Sequence, residues 1–331
     1  MTPLRVLLLV LVAGFTPLGA AGQQYALGPL TWEEGSPIQR LAIAPAFEGA
    51  QILRPGSIAM DLWLGYSNIF EQDSTATHVL FIDTERLLTA LTVRWGAATG
   101  IELGGRVTLE TTGGGILDGF VSGYHELLGF GQANRDRFPQ DAYAQRLSNG
   151  SGALLLDIPQ RTMAVEDLQV FAKWRVTASQ DERNQLSLRG SLRAPVATNT
   201  VGRERTDGAV VALGRVGAGN WYVHGMLGAG VVRASPELEG ALRDWSAFAG
   251  VAVERALGER MAAVAQLQVA SPLLRGFDHR ELDWPANNLV LGLAGRLGDA
   301  WSWDASFQED VPADTPAIDF TASLRVSRTW R

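Results

Sequence analysis

The chain has 331 residues, of which 46% are apolar and 19% charged, with a formal net charge of −7; an ordinary soluble protein carries about a quarter charged residues. Cysteine is absent, which excludes disulfides, thiolate zinc centres and cysteine nucleophiles. The acidic balance argues against a nucleic-acid partner, which needs a basic surface, and with Lys173 as the only lysine the positive charge is nearly all arginine.

Residues 1–22 read as a signal peptide. Arg5 precedes an apolar run from Val6 to Ala13, and Ala20, Ala21 and Gly22 supply small residues for cleavage. The run is shorter than the roughly 20 residues a spanning helix needs; the rival reading is a buried or anchoring helix. Cleavage leaves 27 positive against 35 negative residues, an exported acidic chain. Residues 23–56 contain Pro and Gly and little alternation after "LAIAPAF". This segment is expected in the periplasm or folded into the mouth of a barrel as a plug.

From residue 57 onward the sequence alternates with a period of two, the mark of strands with two different faces. In "IELGGRVTLE", Ile101, Leu103, Val107 and Leu109 oppose Glu102, Arg106 and Thr108. In "DLQVFAKWRVTA", Leu168, Val170, Ala172, Trp174 and Val176 oppose Asp167, Gln169, Lys173 and Arg175, with Phe171 out of pattern. Leu186, Leu188 and Leu192 oppose Arg189 and Arg193; Leu289, Leu291, Leu293 and Leu297 oppose Asn288 and Arg296; Trp301, Trp303, Ala305 and Phe307 oppose Asp304 and Gln308. The last stretch alternates through Phe320, Ala322, Leu324 and Val326 around Arg325, and Trp330 stands one place from the end. About twelve segments follow this pattern, near 57–67, 84–95, 100–110, 165–179, 185–194, 207–216, 220–233, 244–257, 260–271, 286–297, 300–309 and 317–330. Each is close to the 9–11 residues of a tilted membrane strand.

Short turns alternate with longer connections near 68–83, 111–164, 195–206, 234–243, 272–285 and 310–316. An even strand number with short and long links on opposite ends is the pattern of outer-membrane barrels. Trp95, Trp221, Trp245, Trp301 and Trp330 mark strand ends, as interfacial girdles do. A soluble sheet also alternates, but its polar face mixes Lys and Glu freely; here that face is Arg, Gln, Ser, Asp and Gly. The predicted fold is therefore all-β, a transmembrane antiparallel barrel of about twelve strands over 57–331 with one long, partly helical loop. Lipid offers no water to strand edges, so the sheet must close.

Segment 111–164 is far longer than an ordinary loop. Ile116, Phe120, Tyr124 and Leu127 recur at helical spacing, and Asp118, His125, Arg135, Asp136 and Arg137 supply polar groups. The functional expectation is a loop that narrows or caps the barrel and presents a site; the plainer one is an outer loop whose helix packs on the rim. "GPL" at 28–30, "SN" at 67–68, "IDTERL" at 82–87, "RWGAATGIELG" at 94–104, "GGGILDGFVSGYHELLG" at 113–129, "NRDRFP" at 134–139 and "VEDLQVFAKW" at 165–174 together resemble an uncharacterised family of Gram-negative outer-membrane proteins. The resemblance implies a barrel and an outer-membrane address. It implies no reaction, substrate or catalytic residue. The terminal strand also resembles the C-terminal signal read by the outer-membrane assembly machinery, although Arg331 follows the aromatic.

Inward positions are predicted at Asp61, Arg94, Glu102, Arg106, Lys173, Arg175, Arg189, Arg193, Glu254, Gln266, Gln268, Arg296, Asp304 and Arg325. Such arginines either pair with carboxylates and fill the interior or line a water path that favours anions; a partly plugged, paired interior is the expectation. The function read from this is a channel or transporter for a small solute in the cell outer membrane. The alternatives are a non-conducting structural or surface-interaction barrel and, with least support, a lipid-modifying enzyme. "GGGILDG" lacks the Lys-Ser/Thr ending of a phosphate loop, and no nucleophile motif accompanies His78, His125, His224 or His279. Carboxylates near Asp310 and Glu237 are commoner as solvated loop charge than as calcium ligands. No cofactor, metal or nucleic-acid partner is expected; the expected partners are outer-membrane lipid and lipopolysaccharide, the assembly machinery and a small solute.

Overall fold

Alternating β-branched, leucine and small residues give extended segments with two dissimilar faces, and the chain resolves the mismatch by closing them into one sheet. The computed structural model describes residues 26–128, 135–177, 183–195, 206–233, 238, 240–311 and 320–331. The leader expected over 1–22 lies outside the described residues.

Among the described residues the strands are β1 (Ile58–Ser74), β2 (His78–Ala98), β3 (Ile101–Gly113), β4 (Ala144–Asn149), β5 (Leu154–Asp157), β6 (Ala164–Arg175), β7 (Gln185–Ala194), β8 (Asp207–Ala218), β9 (Trp221–Val231), β10 (Trp245–Ala256), β11 (Met261–Ala270), β12 (Ala286–Leu297), β13 (Trp301–Asp310) and β14 (Phe320–Trp330). Helix α1 covers Asp118–Leu128 and the single-turn α2 covers Arg280–Asp283. Each of the twelve segments expected from alternation is a strand of the barrel. β1 pairs antiparallel with β2 on one side and with β14 on the other, closing the ring, while β4 and β5 form a hairpin added to β2 at His78–Asp83. Segment 68–83 differs from expectation. It is not a loop: β1 and β2 run on through it, stay paired from Phe70↔Asp83 to Ser74↔Val79, and leave only residues 75–77 as the link. The β4–β5 hairpin covers the extension, so its alternation is less clean than in the lipid-facing part.

Two ends follow from the connections. The links β2–β3, β8–β9, β10–β11 and β12–β13 are short, and both Ile58 and Trp330 lie at the same end, paired to each other. We call this the turn end, and the opposite one the loop end. Along β1 the faces separate cleanly: Ile58, Met60, Leu62 and Leu64 are exposed while Ala59, Asp61 and Trp63 are buried. Leu91, Val93, Leu103, Val170, Leu192, Val210, Leu227, Val251, Leu267, Leu293 and Leu324 continue the exposed band around the ring. Water rather than hydrocarbon around a leucine-sized side chain forfeits roughly 1.5–3 kcal/mol, so a band of this extent is built for lipid. Trp95, Trp174, Trp221, Trp301 and Trp330 lie exposed at the turn end, with Trp245 and Trp284 at the loop end. The Arg328 guanidinium stands 5.2 Å from the Trp301 ring and 5.0 Å from that of Trp330.

The interior is occupied. Residues 26–57 form a hairpin-like segment inside the ring, with Trp32 bridged to Phe47. It begins beside Glu254 at the turn end, climbs to the loop end around residues 35–42, and descends to Leu53 beside Glu102. One apolar cluster joins Leu30, Trp32, Ile43, Phe47 and Ala50 of this segment to Val211, Leu213, Met226, Phe248, Ala252, Val264 and Val290 of β8–β12. A second closes the loop end: Ile38, Leu41 and Ala42 at the tip pack with Ile69, Leu80, Ile82, Leu147, Leu156, Leu242, Leu273, Leu274, Phe277 and Leu282.

Candidate site: a charged lumen wall and the segment that fills it

Opposite the apolar side of the lumen, strands β1–β3, β6–β8 and β14 present a charged wall. Its lowest layer lies near the turn end. Arg94 grips Asp61 with both fork nitrogens, at 2.9 and 3.1 Å, and Arg325 reaches Asp61 at 3.1 Å and Asp304 at 2.5 Å. Paired guanidinium–carboxylate forks of this kind fix geometry as well as charge. Trp63 Nε1–H donates to Thr31 O at 3.0 Å and Leu53 N–H to Glu102 at 3.0 Å, so wall and inner segment are joined here.

One step up, Lys173 on β6 stands directly opposite Arg189 on β7. Between them lies Glu48 of the inner segment, 3.3 Å from Lys173 Nζ and 3.2 Å from Arg189 Nη1. Lys173 also donates to Gly49 O at 3.1 Å. Phe171, the apolar residue out of pattern, does share the inward phase of Gln169 and Lys173. Its ring fills the space over Gly104, where a Cβ would meet it at 2.2 Å, and Arg189 lies 3.9 Å above it. A cation on an aromatic face is a favourable contact, which gives the aromatic a reason to point inward.

The upper layers are denser. Arg106 pairs with Glu33. Arg86 donates to Glu110 at 2.7 Å and pairs with Glu166, which Arg40 holds from the other side at 2.7 Å. Arg193 pairs with Asp207 and donates to Arg40 O at 3.1 Å and Leu41 O at 3.0 Å; Ile43 N–H donates to Asp207 at 3.2 Å. Across the lumen, Glu254 accepts from Leu27 N–H at 2.7 Å and Gly28 N–H at 3.0 Å, with His224 Nε2 at 2.8 Å. The bonds to backbone groups matter because a buried N–H or C=O needs a partner; here side chains of the wall supply it.

Two carboxyls of the inner segment depart from the ordinary range. Burial pushes Glu34 up to about 7, partly offset by its bond from Ser36 N–H and by Arg40 and Arg86. Burial would also raise Glu48, but Lys173, Arg189 and Arg94 outweigh it and hold that carboxyl at about 2. Beside Glu34 lies a cavity of about 30 Å³ between segment and wall, lined by the polar Gln39, Ser246, Gln268 and Asn288 and by the apolar Trp32, Ile43, Met226 and Phe248. That is room for a single water.

The expected lumen residues differ in burial. Asp61, Glu102, Arg106, Lys173, Arg189, Arg193, Glu254, Gln266, Gln268 and Asp304 are buried, whereas Arg94, Arg175, Arg296 and Arg325 are half-buried. The sequence reading missed Arg86 and Glu110, which sit in phase with the predicted Arg94 and Arg106, Glu166, which a β-bulge takes out of phase with Gln169 and Lys173, Asp207, and the partners Glu33, Glu34, Arg40 and Glu48. Alternation finds walls; it carries no signal for an irregular segment inside them.

The long loop divides. Among its described residues, 114–128 and 135–141 lie against the outside of β1, β2, β13 and β14, because their bonding partners are outward residues, whereas the β4–β5 hairpin puts Leu147 and Leu156 into the cluster that closes the loop end over the tip of the inner segment. Glu85 accepts from Ile116 N–H at 2.8 Å and from Leu117 N–H, and Tyr66 O–H donates to it, so an outer-wall carboxylate caps the start of α1. Gly115 makes this approach possible: its φ is +77° and a Cβ would strike Glu85. Asp118 accepts from Asn68 at 2.8 Å, from Arg135 at 2.6 Å and from Asp141 N–H at 2.7 Å. His125 lies 3.4 Å from Glu309, and Tyr124 packs on Phe307. Arg137 is exposed, and the Asp136 side chain lies outside the described residues. The buried face of α1 is Asp118, Val121 and His125, while Ile116, Phe120 and Leu127 are exposed.

Comparison with known proteins agrees with the architecture. Residues 6–330 match the family profile described as "Protein of unknown function (DUF3187)". No curated protein matches the sequence. Among solved structures, an outer membrane channel from Pseudomonas putida F1 is similar at 13% identity and a TM-score of 0.54, covering 85% of this chain and 98% of that one. The NanC porin is similar at 9% identity and a TM-score of 0.45 over 81% and 98%. The translocator domain of the autotransporter NalP from Neisseria meningitidis is similar at 13% and 0.41 over 84% and 89%. At these identities the likeness speaks to the barrel fold alone.

Proposed function

We propose that this chain, which belongs to the DUF3187 family, is an outer-membrane channel for a small solute, closed in this conformation by its own N-terminal segment. The turn end then faces the periplasm and the long loop the cell surface, following the usual asymmetry of such barrels. The exposed Ile116, Phe120 and Leu127 of α1 would meet the lipopolysaccharide leaflet. The observation that carries this reading is what fills the lumen. An eight-stranded ring is already sealed by its own side chains, while twelve strands enclose more room than wall side chains occupy. Here that room is taken by main chain from residues 26–57, which belongs to none of the described strands and is held by the two apolar clusters and by ion pairs and side-chain bonds to backbone. Water can replace such bonds at modest net cost, so the segment is suited to leave and return.

A second reading has one observation in its favour. The apolar cluster at the loop end ties the tip to surface segments, as a permanent filling would, and makes the protein a non-conducting structural or surface-interaction barrel. The two readings separate in planar bilayers with the full-length variant Phe47→Cys/Gly250→Cys. A Cβ at Gly250 would lie 3.1 Å from the Phe47 ring, and the wild-type chain has no cysteine to compete. We expect conductance in the wild type and the reduced variant and its loss on oxidation. Equal conductance in both redox states would remove the segment as the gate; silence of all three would leave the non-conducting barrel.

A further inference from the structure

Resting on the channel reading above, we infer that the solute is a small carboxylate anion, and that Glu33 and Glu48 occupy the places its carboxylate takes on the lumen wall. The argument starts from the register. Lys173 and Arg189 are directly opposed on neighbouring strands, an arrangement that like charges make unfavourable. A wall that only had to be stable would place a carboxylate at one of the two positions, as this same wall does where Arg193 opposes Asp207. Instead the anion comes from a segment that is no part of the ring, with Glu48 Oε1 within 3.3 Å of both cations. On its other side Lys173 is directly opposite Glu102 of β3, which comes within 3.7 Å but is shared with Arg94 and with Leu53 N–H, so the wall's own carboxylate does not reach Arg189.

The pattern repeats further up. Arg106 lies four residues beyond Glu102 on β3, about 13 Å along the strand, and its ion pair is again with the inner segment, at Glu33. Among the described residues, the ion pairs of Arg106 and Arg189 are with that segment. Below both levels, half-buried Arg175 stands at the turn-end mouth, two residues from Lys173 on the same face of β6. When the segment leaves, the wall therefore presents cations at the mouth, at Lys173 and Arg189, and at Arg106. Spaced cations of this kind select anions and pass them between sites. The guanidinium fork suits a planar carboxylate better than a spherical halide. That Glu48 is held at about 2 by Lys173, Arg189 and Arg94 against the effect of burial is the response of a site that stabilises a carboxylate anion.

The test uses full-length protein in planar bilayers under a KCl gradient, with propionate, the acid closest to a glutamate side chain, as the probe. In the wild type we expect a reversal potential showing several-fold preference for anions, and chloride current that millimolar propionate reduces. Lys173→Met/Arg189→Met should still conduct, lose most of the preference and no longer respond to propionate. Glu48→Gln should open several-fold more often. Migration of unheated samples on gels verifies that each barrel is folded; if the double variant is not, Arg189→Gln replaces it, and the wild-type measurement stands alone in either case. An open channel that prefers cations, or one indifferent to propionate, overturns the inference and leaves the channel reading intact. Silence of every variant removes both together.

Discussion

On the proposed channel reading, Glu34 biases the filled state through one titrating side chain. Its carboxyl titrates at about 7 inside the barrel and near 4.5 in water, so the filled lumen holds a proton that the displaced segment has released. Protonation therefore favours the filled state fully below pH 4.5; the advantage declines between pH 4.5 and 7 and is gone above. The whole swing is about 3 kcal/mol at 1.36 kcal/mol per pH unit. Glu48 acts with the opposite sign: its ion pairs favour the filled state at neutral pH and are lost only as pH falls from 4.5 towards 2. Between pH 5 and 8 Glu34 alone of the two titrates, and we expect open probability in bilayers to rise over that range in the wild type and to stay flat in Glu34→Gln. Gly104 makes a second prediction at this scale. A methyl there would collide with the Phe171 ring, itself pinned under Arg189; overpacking of this kind costs about 1–3 kcal/mol. Gly104→Ala should lower the urea midpoint of the detergent-refolded barrel, whereas Gly225→Ala, where a Cβ meets nothing within 4 Å, should leave it unchanged.

At the scale of elements, the instructive case is α1. Helical spacing of Ile116, Phe120, Tyr124 and Leu127 predicts an amphipathic helix, and the helix exists over Asp118–Leu128. Its placement was not legible, because the usual rule buries the apolar stripe, and here the exposed side is the apolar one. Ile116 and Leu127 are 80% and 82% exposed while Asp118 is 2% exposed. Asp118 and Arg135, expected among the polar groups of a loop site, are rivets that hold the helix to the outer wall together with Glu85 and Asn68. Removing a buried acceptor leaves its donors unsatisfied at about 1–3 kcal/mol. Glu85→Ala should therefore speed amide exchange over residues 116–128 while the midpoint of barrel unfolding barely moves. The strands were legible nearly to the residue, since a period of two repeats wherever one face meets lipid. The exception, 68–83, lies where the β4–β5 hairpin and α1 replace lipid as the neighbour of β1 and β2, and alternation no longer has a single solvent to report on.

For the whole molecule, closure, the segregation of short and long links and the lipid band follow from local pattern, but the contents of the lumen do not. Residues 26–57 lack periodicity because each of their side chains answers to a different part of the wall: Glu33 to Arg106, Arg40 to Glu166, Glu48 to Lys173. Only the wall's surplus of arginine hinted that partners come from elsewhere. The turn-end tryptophans give a test of placement in the bilayer: brominated lipids with the label near the headgroup should quench the emission of Trp95, Trp174, Trp221, Trp301 and Trp330 more strongly than lipids labelled at the chain end. The inner segment both begins and finishes at the turn end, with its bend at the far side. A thread laid this way passes through nothing and can be drawn out by traction on one tail without unlacing the ring. Pulling at Ala26 would load the two bonds to Glu254 first, then those at Leu30 and Trp32, so the bonds would yield in succession rather than in parallel.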